Sequence, residues 1–201
     1  MNFLYPFFIA FSMVFLCELG DKTQLLVLSF SGKDSTFKIL LGVAIGSFFS
    51  HGLAILFGSS IALFENEGPR HVIEIITYSS FLLMGVLSLL PKKETLNMEN
   101  DKKNDLLFKI SHLKINYCLI VALCIMIGEL GDKTFLASIG LGVQYSDAKL
   151  ALIFGAMTAM VICDFLAILF GKFLRKHISE DAMQKLSGIL FLIFGVIGFF
   201  S

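Results

Sequence analysis

The six residues Glu18-Leu19-Gly20-Asp21-Lys22-Thr23 recur letter for letter as Glu129-Leu130-Gly131-Asp132-Lys133-Thr134, 111 positions later. Each copy is embedded in an apolar run, residues 3–30 and 115–143. Runs of that length can cross a bilayer, for which about 20 apolar residues suffice. The motif thus puts two carboxylates and a lysine where each charge costs about 2.5 kcal/mol or more on insertion scales. A repeated six-residue match is not an accident of composition, and ionisable groups inside a membrane mark a functional site by default.

Composition sets the class. The 201 residues are 56% hydrophobic and only 16% charged, against about 25% charged in soluble domains. The expectation is an all-α integral membrane protein, its 22 Phe serving as packing and lipid-facing residues. Cys17, Cys118, Cys124 and Cys163 all fall in apolar runs without CxxC spacing, which argues against a disulfide framework or a thiolate zinc site. The start of the chain has no basic region and no small-residue cleavage site before the first motif. It reads as a retained helix, not a signal peptide.

Six spans are expected, at about residues 3–30, 37–64, 71–90, 115–143, 148–171 and 183–200. The first, second and fourth exceed the minimum crossing length, which fits tilt or a helix broken at each motif glycine. Residues 91–114 are polar and rich in Lys, Asp and Asn, as a linker would be. The halves match beyond the motifs. Leu53-Ala54-Ile55-Leu56-Phe57-Gly58 returns as Leu166-Ala167-Ile168-Leu169-Phe170-Gly171, and residues 81–86 resemble 191–196. The chain therefore reads as a three-helix repeat (1–90), a linker (91–114) and a second three-helix repeat (115–201). Because three is odd, the second repeat enters from the opposite side, which gives inverted repeats whose motifs can meet at mid-membrane.

Charge placement supports this independently. Of the Lys and Arg outside the motifs, twelve fall on the side of the first turn, the linker and the fifth-to-sixth loop; only Arg70 and Lys149 fall opposite. The positive-inside rule then makes the linker cytoplasmic and both termini external.

If the motif is helical, Glu18 and Asp21 share a face, as do Glu129 and Asp132. The intervening glycines permit close approach or local unwinding. Thr23 and Thr134 add hydroxyls, and Gln24 adds an amide in the first copy only. This donor set is all oxygen, which suits hard divalent cations such as Ca2+, Mg2+ and Mn2+. Lys22 and Lys133 follow the glutamates by four, so each motif could be a structural clasp; but each keeps a carboxylate beyond what a clasp needs. Asp164 and His51 fall at equivalent positions, two residues before the shared Leu-Ala-Ile-Leu-Phe-Gly. They are candidates for supporting or proton-linked roles, with a packing histidine the plainer reading of His51. Glu74, near the start of a span, reads as interfacial.

Two copies of E-x-G-D-[KR]-[ST], each in the first helix of a three-helix repeat, resemble the Gdt family of membrane cation transporters. The resemblance covers essentially the whole chain. It implies exchange of Mn2+ or Ca2+ for protons, with Glu18, Asp21, Glu129 and Asp132 as metal ligands and Thr23 and Thr134 in support. It also suggests a prokaryotic plasma membrane for so compact a member. No enzyme activity, prosthetic group or nucleic-acid partner is expected, only the transported cation, protons and the bilayer. The rivals are an intramembrane metal-dependent enzyme, an idle structural subunit and an exporter of a small organic cation. Four carboxylates and two lysines leave −2 on an empty site, which one divalent cation or two protons would neutralise.

The charge partition predicts a labelling pattern. A cysteine introduced at Asn100 should react only with reagent on the cytoplasmic side, and one at Glu67 only with reagent outside. Reaction of both from one face would refute the odd-numbered repeat.

Overall fold

The structure is a computed structural model that describes residues 3–19, 21–62, 75, 78–79, 81–83, 85–86, 89–90, 109–110, 115–177, 185, 188–189, 191–193 and 195–197, with backbone alone for 22, 25 and 171–177. The described residues are helical throughout except at turns. Helix α1 covers Leu4–Glu18, α2 Lys22–Phe30, α3 Thr36–Ile61, α4 Tyr117–Glu129, α5 Lys133–Gln144 and α6 Lys149–His177. A 3-10 turn at Ser146–Ala148 leads into α6. The expected linker 91–114 and most of the third and sixth spans lie outside the described residues.

Local chemistry explains the ends. Ser35 caps α3 by accepting from Lys38 N–H, and Asn116 caps α4 by accepting from Cys118 N–H; each satisfies a backbone donor that a helix start leaves open. In the turn before α3, Asp34 accepts from Ser35 N–H at 2.7 Å and from the Lys38 ammonium at 3.1 Å.

Two stretches, Thr36–Ile61 and Ser146–Phe170, are long and apolar enough to cross a membrane, while α1 and α4 are shorter apolar helices. Large apolar side chains point outward along them, including Phe37, Phe48, Leu53, Phe57, Leu150, Phe154 and Leu169. Buried polar side chains, by contrast, gather inside: Glu18, Glu129, Asp164, His51, Ser47 and Ser138. Apolar outside and polar inside is the arrangement a hydrocarbon solvent selects.

The runs expected as the first and fourth spans are each broken in two, so their excess length is absorbed by a break at each motif. Each half also packs crosswise on the other. Helix α3 lies along α4 and α5, and α6 lies along α1 and α2. The α3 contacts advance in step: Gly42 against Cys118 and Val121, Gly46 against Ala122 and Ile125, His51 against Ser138, Gly58 against Ile139 and Val143. Thus α3 runs parallel to α4 and α5. Similarly, Gly155 lies against Phe7, Ala10 and Phe11, and Cys163 against Phe15, so α6 runs parallel to α1.

These contacts are reciprocal. Gly42 meeting Cys118 and Val121 is matched, at repeat-equivalent positions, by Gly155 meeting Phe7 and Ala10. Gly85 meets Leu192 while Gly195 meets Leu82, and the rings of Phe81 and Phe191 lie 6.1 Å apart. Paired contacts of that kind are what a two-fold relation generates. Small residues are needed because one backbone rests on the other, which is how helices associate where no hydrophobic effect drives them together.

Gly42→Val and Gly155→Val should therefore each cost about 1–3 kcal/mol by overpacking, read as a lower unfolding midpoint of the detergent-solubilised protein. Gly32→Ala should leave the midpoint unchanged, since a Cβ at Gly32 meets nothing within 4 Å.

Candidate metal centre

Both breaks are made by the motif itself. Leu130 has φ −57° and ψ 119°, Gly131 has φ +78°, and Asp132 N–H donates to the Glu129 carbonyl at 3.0 Å. This is a type II turn, whose third residue needs positive φ and so glycine. A Cβ at Gly131 would meet nothing within 4 Å. Conformation, not close packing, therefore requires this glycine. In the first copy Leu19 has φ −58° and ψ 114°, and Asp21 N–H donates to the Glu18 carbonyl at 3.1 Å.

This geometry corrects the shared-face reading. Glu18 ends α1 and Asp21 caps α2, so a turn brings them together and no helix face runs through the pair. Glu129 and Asp132 stand in the same relation at the end of α4 and the start of α5. The i, i+4 clasp loses its continuous helix as well, because Lys22 and Lys133 open α2 and α5. The side chain of Lys22 lies outside the described residues; Lys133 is half-buried.

The turns converge. Oxygens of Glu18, Asp21 and Glu129 all lie within 4.8 Å of one another. A cation bound at about 2.3–2.6 Å from each ligand spans roughly 5 Å between opposite oxygens, so one ion can bridge all three. Asp132, half-buried, stands outside that set. Glu18 and Glu129 are fully buried, and neither oxygen of Glu18 nor Oε1 of Glu129 has a hydrogen-bond partner among the described residues. Buried carboxylate oxygens without donors require a cation or a proton.

The remaining candidates surround this set. Thr23 donates its hydroxyl to Asp21 Oδ2 at 3.3 Å, and Thr134 donates to Glu129 Oε2 at 3.2 Å. A Cβ at Gly128 would meet the Thr23 methyl at 3.0 Å, so the first motif rests on the helix that carries the second. Gln24 is buried on α2. Asp164 is buried on α6, with both oxygens unpartnered among the described residues and its charge within reach of Asp21 and Glu129. His51, on α3, is fully buried and hydrogen-bonds through Nδ1 to Ser138 Oγ at 2.9 Å. Sequence reasoning missed Ser138. Its signal was a hydroxyl one helical turn after Thr134 in an apolar segment, where the first repeat has Val27.

The sequence profile of a family described as "Divalent cation/proton antiporter GDT1" matches residues 6–96 and 117–201. The chain belongs to the GDT1 family. It is therefore a membrane protein of a transporter family. Its relatives include "GDT1-like protein 2, chloroplastic" of Oryza sativa subsp. japonica, 27% identical over 95% of this chain and 60% of the relative. "Protein PAM71, chloroplastic" of Arabidopsis thaliana is 24% identical over 94% of this chain and 55% of the relative. A Vibrio cholerae protein named "Putative manganese exporter" is 27% identical over 92% of this chain and 86% of its own length. The chain thus spans little more than half the length of the two plant relatives. No solved structure matches it.

The turn geometry predicts that Gly131→Ala destabilises the protein by about 1–2 kcal/mol, the cost of a left-handed backbone with a Cβ. Gly131→Asn should cost less, because asparagine tolerates that region. Equal midpoints for glycine and alanine at this position would refute the type II turn.

Proposed function

We propose that the chain exports a divalent cation, Mn2+ ahead of Ca2+, from the cytoplasm in exchange for protons. Glu18, Asp21 and Glu129 hold the ion, with Asp132, Thr23, Gln24 and Thr134 beside them, Lys22 and Lys133 balancing charge, and Asp164 nearby. The observation that carries this reading is the convergence of three carboxylates from two repeats within 4.8 Å, at two helix breaks. Broken helices that meet at such a site are the recurrent design of secondary transporters. Preference for Mn2+ draws on the name of the Vibrio relative; the all-oxygen donor set suits Mn2+ and Ca2+ alike.

The architecture proposed is six spans in two inverted repeats, 1–90 and 115–201, joined by a cytoplasmic linker, 91–114. The termini lie outside, in a plasma membrane. Support comes from the parallel run of α3 with α4 and α5. Parallel spans need an odd number of crossings between them, and residues 71–90 supply one. The reciprocal Gly85–Leu192 and Gly195–Leu82 contacts fit the same two-fold arrangement.

Charge decides the coupling. Four ionised carboxylates and two lysines leave about −2 on the empty site, which is costly to carry through a low-dielectric core. One divalent cation or about two protons removes that cost, so the loaded and protonated forms cross and the empty one does not. Protons entering down their gradient then drive the cation outward.

In liposomes, Glu18→Gln, Asp21→Asn and Glu129→Gln should each abolish Mn2+ flux while membrane insertion persists. Leu19→Val should be tolerated. The reversal potential at fixed Mn2+ gradient should shift with the pH gradient. Flux that ignores the pH gradient, or that survives all three amide substitutions, would refute the reading.

A further inference from the structure

The two broken runs, α1 with α2 and α4 with α5, face each other head to tail. Tyr5, at the start of α1, meets Tyr145 at the end of α5, with ring centres 6.1 Å apart and planes at 77°. Thr23, just past the first break, lies against Gly128, just before the second. Phe30, the last residue of α2, meets Tyr117, the first of α4, again with 6.1 Å between ring centres. Residue numbers rise along one run as they fall along the other, so the runs are antiparallel. Glu18, Asp21 and Glu129 fall between the two ring pairs along this line.

Each pair joins the start of one broken run to the end of the other, so the two pairs hold equivalent places in the two-fold arrangement. The sequence repeat does not impose this. At the motif offset of 111, Asn116 and Asp34 stand where the first pair has Tyr5 and Tyr145, and Pro6 and Leu141 where the second has Tyr117 and Phe30. Rings recur at both ends although neither pair is a copy of the other. Each ring lies about 13–20 Å of helix from the carboxylates, at 1.5 Å per residue, close to half the thickness of a hydrocarbon core. Glu18 and Glu129 are fully buried, so packed side chains must part to admit an ion.

We propose that the two ring pairs are gates on either side of the cation site, Tyr5–Tyr145 toward the outside and Phe30–Tyr117 toward the cytoplasm. This rests on the exchange reading and the topology above. An exchanger that offers its site to both sides at once lets the ion run down its own gradient; two gates that open in turn prevent this. Ring pairs suit the task. They exclude a hydrated cation by bulk and apolar surface, and edge-on or tilted rings can separate without breaking an ion pair. The two gates are unequal. Tyr5 is 63% exposed and Phe30 only 1%. The Lys33 ammonium also stands over the Phe30 ring, 5.2 Å from its centre, a contact that holds that ring in place. The outer gate therefore opens more readily than the inner one.

The test uses the full chain carrying Cys17→Ala, Cys118→Ala, Cys124→Ala and Cys163→Ala, whose own Mn2+ flux is measured first. Tyr5→Cys with Tyr145→Cys allows the outer gate to be tied, and Phe30→Cys with Tyr117→Cys the inner one, by a bifunctional methanethiosulfonate that a reductant cleaves. Either tie should lower Mn2+ flux in liposomes at least tenfold, and reductant should restore it, which a misfolded protein would not show. Mn2+ loaded before both gates are tied should stay bound against EDTA at least tenfold longer than after reduction. Undiminished flux with either gate tied would overturn the proposal, and so would equal loss of Mn2+ to EDTA with both tied and with neither. Tyr145→Ala, with the native cysteines in place, should speed release to EDTA at least tenfold; an unchanged rate would overturn the outer gate. If Mn2+ binds but is not exchanged for protons, the exchange reading fails, and the trapping result still decides the gates.

Discussion

A helix interrupted inside an apolar bundle must still satisfy its backbone, and everything at this site depends on how that is done. The Glu-Leu-Gly-Asp turn closes on its own carbonyl, from Asp132 N–H to Glu129 and from Asp21 N–H to Glu18. The aspartate then starts a new helix, and in the first copy its side chain accepts from Thr23 N–H. Four letters therefore stop one helix, start another and leave two carboxylates at the joint. Asp at a helix start is also favoured by the helix dipole, so the fold helps to offset the cost of the charge it buries.

Two-fold pairing brings the joints together. Each half lends its unbroken helix to the other's broken one, and Gly42 and Gly155 allow the backbones to touch. The result is not symmetric in chemistry. Glu18, Asp21 and Glu129 form the close set while Asp132 stands aside, and His51 and Asp164 occupy equivalent places with different charge. An asymmetric centre inside a symmetric frame gives the two crossings different chemistry, a histidine and a hydroxyl at one and a carboxylate at the other.

Much of this was legible in the sequence because both signals are long-range repeats. The motif copies, the matched Leu-Ala-Ile-Leu-Phe-Gly segments and the apolar runs located α3 within two or three residues of where it lies. Helix α6 runs on to His177, past the apolar run, because helical hydrogen bonding does not stop where hydropathy does. The break was only one of two options, since a single glycine in a helix costs about 1 kcal/mol and need not end it. Crosswise packing left no trace, as apolar residues read alike whichever helix they meet. The His51–Ser138 pair was hidden for the same reason: its partners are 87 positions apart and share no spacing rule.

The crosswise arrangement has a mechanical side. Because α3 lies along both α4 and α5, it splints the break in that helix, and α6 likewise lies against both α1 and α2. Two arms result, each made of pieces from both halves of the chain, with α3 and α6 packed together between them. Glu18 and Asp21 belong to one arm and Glu129 to the other. An ion held by all three, as proposed, would therefore tie one arm to the other across the seam where the two broken helices meet.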